Sequence, residues 1–213
     1  MNFPIVIIDY GVGNLQSLKK AFAHFGVDAA VSEDPKDITA AQALVLPGVG
    51  SFEAGMRGLK LRGLVESVKE CAAAGKPILG ICLGAQLLLA KGYEFGEFAG
   101  LGIIPGEVVR FNEKDVREKI PEVGWNKVYA SEKTQWKESI FTAFKAGEKP
   151  EMYFTHSYIL VPEKKEHVFA QTTYGGKEFC SVMRKGNIYG CQFHPEKSGE
   201  AGLRLIEQFI ASA

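Results

Sequence analysis

Lys76-Pro77-Ile78-Leu79-Gly80-Ile81-Cys82-Leu83-Gly84-Ala85-Gln86 reads as a buried strand that runs straight into a helix. Cys82 sits at the junction, with glycine two residues before it and two after. Small flanking residues let a chain turn tightly enough for the junction side chain to project above a sheet, the geometry of a nucleophile elbow. A thiol facing a helix N-terminus is favoured as the thiolate, the form that attacks. A small apolar cysteine plugging a strand end is the plain alternative. The paired glycines favour the nucleophile.

Upstream of this elbow, short apolar runs at residues 5–9, 29–32, 43–46 and 77–81 alternate with amphipathic segments at 15–25 and 55–74, and a further segment follows at 83–90. This βαβ rhythm predicts an α/β fold, a mainly parallel central sheet with helices on both faces. Right-handed crossovers put the strand carboxyl ends along one edge, where open α/β sheets bind their ligands. Past about Gly106 the pattern becomes short strands, at residues 107–111, 127–130, 151–155, 157–161, 168–174, 179–184 and 188–193, with one helical segment at 135–144. That predicts an antiparallel extension of the sheet. From about Glu200, the residues Leu203, Ile206, Phe209 and Ile210 share one face of a terminal helix. No linker of low complexity and no repeat interrupts the chain, and 213 residues at 46% hydrophobic content can bury one substantial core. Residues 1–213 are expected to form a single domain.

A cysteine nucleophile needs a base, and Gln192-Phe193-His194-Pro195-Glu196 supplies one. Proline disfavours the helical conformation in the residue before it, so His194 is held extended. Residues two apart in an extended segment point the same way, which lets Glu196 orient the imidazole. The result is a triad with cysteine as nucleophile. A surface His-Glu pair at a helix start is the alternative, and the cysteine elbow tips the balance to catalysis. Leu46-Pro47-Gly48-Val49-Gly50 closes another apolar strand with two glycines. Backbone N–H groups can approach a substrate there, so Gly50, or its neighbour, pairs with the Leu83 N–H as an oxyanion hole.

Two further stretches are weaker. Tyr10-Gly11-Val12-Gly13-Asn14 follows the first strand, but Gln16 stands where a dinucleotide fingerprint needs its third glycine. Nucleotide binding is rejected there. Tyr153-Phe154-Thr155-His156-Ser157-Tyr158 is strand-like with aromatic residues on both faces, for which core packing is the default.

Lys+Arg and Asp+Glu each total 25, a balance that gives no support to nucleic-acid or anionic-lipid binding. No apolar run approaches a bilayer span or a secretory segment, so a soluble, cytoplasmic protein is expected. Cys71, Cys82, Cys180 and Cys191 form no C-x-x-C pair, and the histidines offer no zinc-ligand set. Neither disulfide, metal nor other cofactor is expected.

The elbow with Gln86, together with Phe193-His194-Pro195-Glu196, resembles the class I, triad-type glutamine amidotransferases. The resemblance extends to the glutaminase subunits of imidazole glycerol phosphate synthases. It rests there on residues 8–15, 46–50, Gly124-Trp125-Asn126, 153–158 and His194-Pro195-Glu196-Lys197-Ser198-Gly199. It implies a flavodoxin-like domain that hydrolyses glutamine and docks on a (β/α)₈-barrel cyclase subunit as a heterodimer. Ammonia would pass through the barrel for histidine biosynthesis. Cys82 would form the glutamyl thioester, His194 would shuttle protons and Glu196 would orient it. Gly50 and Leu83 match oxyanion positions, and Gln86, His156, Ser157 and Tyr158 the glutamine pocket. Asn14, Trp125, Tyr153 and Lys197 match the subunit interface. Two positions depart from the usual pattern: Ala85 stands for methionine, and Pro121-Glu122-Val123 for Pro-His-Met. Paralogues that feed ammonia to sugar amidation in surface-polysaccharide pathways form the first alternative. A catalytically silent regulatory subunit is a second, and the complete triad argues against it.

Overall fold

The computed structural model describes residues 4–131 and 136–213. Its centre is a parallel sheet whose five strands lie in the order β2-β1-β3-β4-β14. These are β1 (Ile5–Ile8), β2 (Ala30–Ser32), β3 (Ala43–Leu46), β4 (Ile78–Ile81) and β14 (Ile188–Cys191). β1, β3, β4 and β14 are buried along their whole length, as expected of parallel strands covered on both faces. Along β1, Ile5 and Ile7 enter one apolar cluster while Val6 and Ile8 enter the other. The period-two alternation thus feeds two cores at once, and each fully buried aliphatic side chain contributes roughly 1.5–3 kcal/mol.

Helices α1 (Leu15–Ala23) and α6 (Gly199–Ala211) cover the first face, through Leu18, Phe22, Leu205, Ile206 and Phe209. Helices α2 (Pro35–Ala40), α3 (Phe52–Leu61), α4 (Leu64–Ala73) and α5 (Leu83–Leu87) cover the second, through Ile38, Phe52, Leu59, Val68 and Leu87. α2 went unseen in the sequence although its start signal is written out. Asp34 accepts from Lys36 N–H at 2.8 Å, and Pro35 opens the helix. Residues 55–74, read as one amphipathic stretch, are two helices, because Gly63 turns the chain left-handed at φ +67°.

Beyond β14 the sheet continues through β13 (Lys177–Lys185), β11 (Tyr158–Pro162) and β7 (Ile104–Arg110) in antiparallel pairings. It then adds β5 (Leu89–Gly92) parallel to β7, and β6 (Phe98–Ala99) at the edge. β12 (Val168–Tyr174) and β9 (Tyr129–Ala130) branch from β13. A separate antiparallel ribbon joins β8 (Glu122–Lys127) to β10 (Glu151–His156).

Three expectations change in this half. Residues 83–90 are not one helix, since α5 stops at Leu87 and Leu89 already starts β5. The strand expected at 127–130 begins at Glu122 and breaks before Tyr129. Gln135 lies outside the described residues, and 136–144 is a run of turns rather than a helix. There Ser139 Oγ donates to Trp136 C=O at 2.7 Å and accepts from Phe141 N–H at 3.1 Å, a local alternative to helical bonding. Trp136, Phe141 and Phe144 still pack together, with the first two ring centroids 4.9 Å apart. Among the described residues, no helix is long and apolar enough to cross a membrane.

Candidate active site

Four parallel strands end along one sheet edge, and each hands over a stretch singled out in the sequence. β1 leads to Tyr10-Gly11-Val12-Gly13-Asn14, β3 to Pro47-Gly48-Val49-Gly50, β4 to Cys82 and β14 to Gln192-Phe193-His194. Cys82 adopts φ 51°, a conformation that costs a non-glycine residue strain and clusters at functional sites. The sheet holds it there, for Cys82 N–H donates to Cys191 C=O at 2.7 Å. The flanking glycines are required by space. A Cβ on Gly84 would collide with the Leu46 carbonyl oxygen, and one on Gly80 would stand 2.9 Å from the Ala85 backbone nitrogen.

His194 is extended, as Pro195 dictates, and its N–H donates to Tyr153 C=O at 2.9 Å. Ser198 Oγ staples the segment, donating to His194 C=O at 2.6 Å and accepting from Tyr153 N–H at 2.9 Å. His194 Nδ1 lies 2.9 Å from Glu196 Oε1, with both side chains almost fully buried. Nε2 has no oxygen or nitrogen partner among the described residues, which leaves it for Cys82. Burial acts to lower the His194 pKa, but hydrogen bonding to Cys82 and Glu196, with their negative charges, raises it to about 9. The structure therefore brings Cys82, His194 and Glu196 together at this edge.

Gly48 rather than Gly50 makes the close approach to the elbow. A Cβ there would lie 2.8 Å from Leu83 Cβ and 3.0 Å from Gly84 N. Tyr10 Oη donates to Pro47 C=O from beneath, and burial and the charge of Cys82 both push the phenol pKa up. Gly50, at φ +112°, is exposed just before α3, whose first N–H, that of Phe52, is capped by Glu94 Oε2 at 2.8 Å.

The expected pocket residues divide. Gln86 Nε2 donates to Tyr158 C=O at 3.4 Å and to Gln192 Oε1 at 3.3 Å. Ser157 and Tyr158 are half-buried beside it. His156 stands behind this wall with its ring turned inward. Its Nδ1 is 2.8 Å from Tyr158 C=O, and its Nε2 is 3.1 Å from Glu122 Oε2. Ala85 is fully buried, and its Cβ and the Met183 methyl lie 3.2 and 2.6 Å from where a Cβ on Gly190 would sit.

The expected interface residues frame the same edge. Trp125 and Tyr153 are register partners across β8 and β10, with rings 6.1 Å apart. Trp125 is 56% exposed and Val123 beside it 59%. Asn14 and Lys197 are also exposed, and Asn14 caps α1 by accepting from Ser17 N–H at 3.3 Å. Three residues went unassigned in the sequence. Gln192 has period-two spacing with His194 and could have been found from it. Glu94 and Glu122 act across the fold, where no local pattern reports them.

The family model of class-I glutamine amidotransferases matches residues 6–213. The chain is a class-I glutamine amidotransferase. Curated relatives of this amidotransferase include HisH subunits. Imidazole glycerol phosphate synthase subunit HisH 1 of Legionella pneumophila (strain Lens) is 45% identical over 210 residues, covering 97% of this chain and 98% of its own. The HisH subunit of Lactococcus lactis subsp. lactis (strain IL1403) is 45% identical over 206 residues, covering 97% of each chain. That of Chlorobaculum tepidum is 40% identical over 206 residues, covering 96% and 98%. Solved structures share the fold at low identity. A glutamine amidotransferase superimposes with TM-score 0.73 at 19% identity over 97% of each chain. A chain of PurLQS from Thermotoga maritima does so with TM-score 0.72 at 19% identity over 99% of each.

Proposed function

We propose that this amidotransferase is the glutaminase subunit of an imidazole glycerol phosphate synthase, making ammonia from glutamine for histidine biosynthesis. Cys82 attacks the carboxamide carbon, and the resulting oxyanion is met by the Leu83 N–H and the strand at Gly48 and Gly50. His194, protonated across neutral pH, gives its proton to the leaving nitrogen, which departs as ammonia. Water then attacks the glutamyl thioester with His194 taking its proton, releasing glutamate and restoring the Cys82 thiolate beside protonated His194. Glu196 keeps the imidazole turned with Nε2 toward the sulfur. Gln86, Ser157 and Tyr158 form the wall that receives glutamine, and His156 supports that wall from behind.

Asn14, Trp125, Tyr153 and Lys197 lie on the face we assign to a (β/α)₈-barrel cyclase subunit. Ammonia protonated in bulk water is no longer a nucleophile, so a glutaminase gains from delivering it directly to a docked acceptor site. The observation that carries the reading is the buried His194–Glu196 pair with Nε2 open beside Cys82. Resemblance to HisH subunits at 45% identity over nearly the full chain supports the acceptor.

The test is a Cys82→Ala complex with the cyclase. It should make no imidazole glycerol phosphate from glutamine, yet recover when ammonium salt is added at mildly alkaline pH. Failure of ammonium to rescue would mean that the chain takes part in the synthase step or serves another acceptor, such as a sugar.

A further inference from the structure

Beyond the triad, we infer that Gln192 is a catalytic residue that donates a hydrogen bond to the Cys82 sulfur and favours its thiolate. The inference rests on Cys82 being the nucleophile, as proposed above. Gln192 is fully buried at the end of β14, with its Nε2 3.8 Å from Cys82 Sγ. Its backbone is fixed by the Gln192 N–H bond to Ser181 C=O at 2.9 Å.

Which end of the amide faces the sulfur follows from a chain of bonds that starts at an atom with only one role. Tyr158 C=O can only accept, so the group of Gln86 that meets it at 3.4 Å is the NH₂. That same NH₂ lies 3.3 Å from one end of the Gln192 amide, which must then be the oxygen. The NH₂ of Gln192 is left pointing at Cys82 Sγ. Gln86 is thus a positioning residue for Gln192, and His156 Nδ1, also on Tyr158 C=O at 2.8 Å, holds the far end of the chain.

Other groups near the sulfur do not supply this bond. Tyr10 has one hydroxyl proton, and it is given to Pro47 C=O. The Thr155 carbonyl, 4.0 Å away, can accept from a thiol but can only repel a thiolate. The titratable groups that sense Cys82 are His194 and Tyr10. His194 must release its proton to the leaving nitrogen during the reaction. The Gln192 donor has no proton to lose and stays through the whole cycle, stabilising the thiolate before attack and again as the thioester breaks.

The experiment is alkylation of Cys82 by iodoacetamide in the full chain, followed against pH and assigned by peptide mass. Gln192→Met removes the donor at similar volume, and Gln192→Glu keeps the acceptor for Gln86 while removing the amide N–H. At pH 7 both variants should alkylate about tenfold more slowly than the parent, with the profile moved to higher pH, the effect expected of one hydrogen bond to a charged acceptor. Thermal unfolding of each variant reports folding separately. A folded variant of either kind whose profile matches the parent overturns the role of Gln192. An unreactive Cys82 in the parent chain would instead remove the nucleophile on which the role depends.

Discussion

Two histidine–glutamate pairs are buried among the described residues, and they differ in whether the second imidazole nitrogen is left open. His194–Glu196 and His156–Glu122 meet at 2.9 and 3.1 Å, with each side chain only 2% or 3% exposed. In the first pair Glu196 orients Nδ1, and Nε2 is left without an oxygen or nitrogen partner, beside Cys82. In the second, Nε2 faces Glu122 and Nδ1 is taken by Tyr158 C=O. The outer oxygens differ in the same sense, since Glu122 Oε1 accepts from Asn126 Nδ2 at 2.9 Å whereas Glu196 Oε2 is unpartnered. A carboxylate–imidazole pair becomes a shuttle only when its second nitrogen is left open. With every position filled it ties strands together, here β8 to β10 in register.

That contrast is broken most sharply by deleting each histidine's function in turn. His194→Ala should lower glutamate release by about 10²–10⁴-fold, the range of a lost general acid–base, while circular dichroism shows the fold retained. A variant that retained most turnover would move proton transfer to another group. The opposite profile is expected of Glu122→Ala. It leaves His156 without its charged partner, and breaking a buried pair of this kind costs about 3–5 kcal/mol. Denaturant unfolding should show that loss, and glutamate release per folded molecule should fall far less than for His194→Ala. Equal losses of activity in the two variants would erase the distinction between the pairs.

A smaller effect sharpens the comparison through pH. The folded-state pKa of His194 is raised from 6.5 to about 9, so its protonated form is bound more tightly by the native protein than by the unfolded chain. The stability this contributes is fully present below about pH 6.5 and is lost as pH rises toward 9. Glu196→Gln removes one of the two groups that raise the pKa, and unfolding temperature measured from pH 6 to pH 9 should then decline less steeply. An identical slope in both proteins would place the charge of Glu196 outside the pair.

How far the site could be read beforehand follows the same division between local and distant. Gly80, Cys82, Gly84, His194 and Glu196 declare themselves because the steric and conformational demands are local in sequence. Tight turns need glycine, Pro195 fixes its neighbour, and residues two apart share a face. The parallel centre was legible because β1, β3 and β4 are dense apolar runs whose type periodicity settles. Glu122 and Glu94 were opaque because their partners, His156 and Phe52 N–H, stand 34 and 42 residues away. Residues 136–144 misled in the other direction. Their apolar spacing suits a helix, but Ser139 bonding to Trp136 and Phe141 draws the backbone into turns. The split of 55–74 turned on Gly63 alone, whose left-handed conformation is one of two it could adopt at little cost.

The central claim is that Cys82 carries the glutamyl group, and acid-quenched mass spectrometry tests it most directly. Incubated with glutamine in the presence of the cyclase subunit and stopped during turnover, the chain should gain the mass of one glutamyl group. Peptide mapping should place it on Cys82, and Cys82→Ser should show no thiol-borne adduct and no glutamate release. An adduct on Cys71, Cys180 or Cys191, or sustained glutamate release by folded Cys82→Ser, would contradict the account.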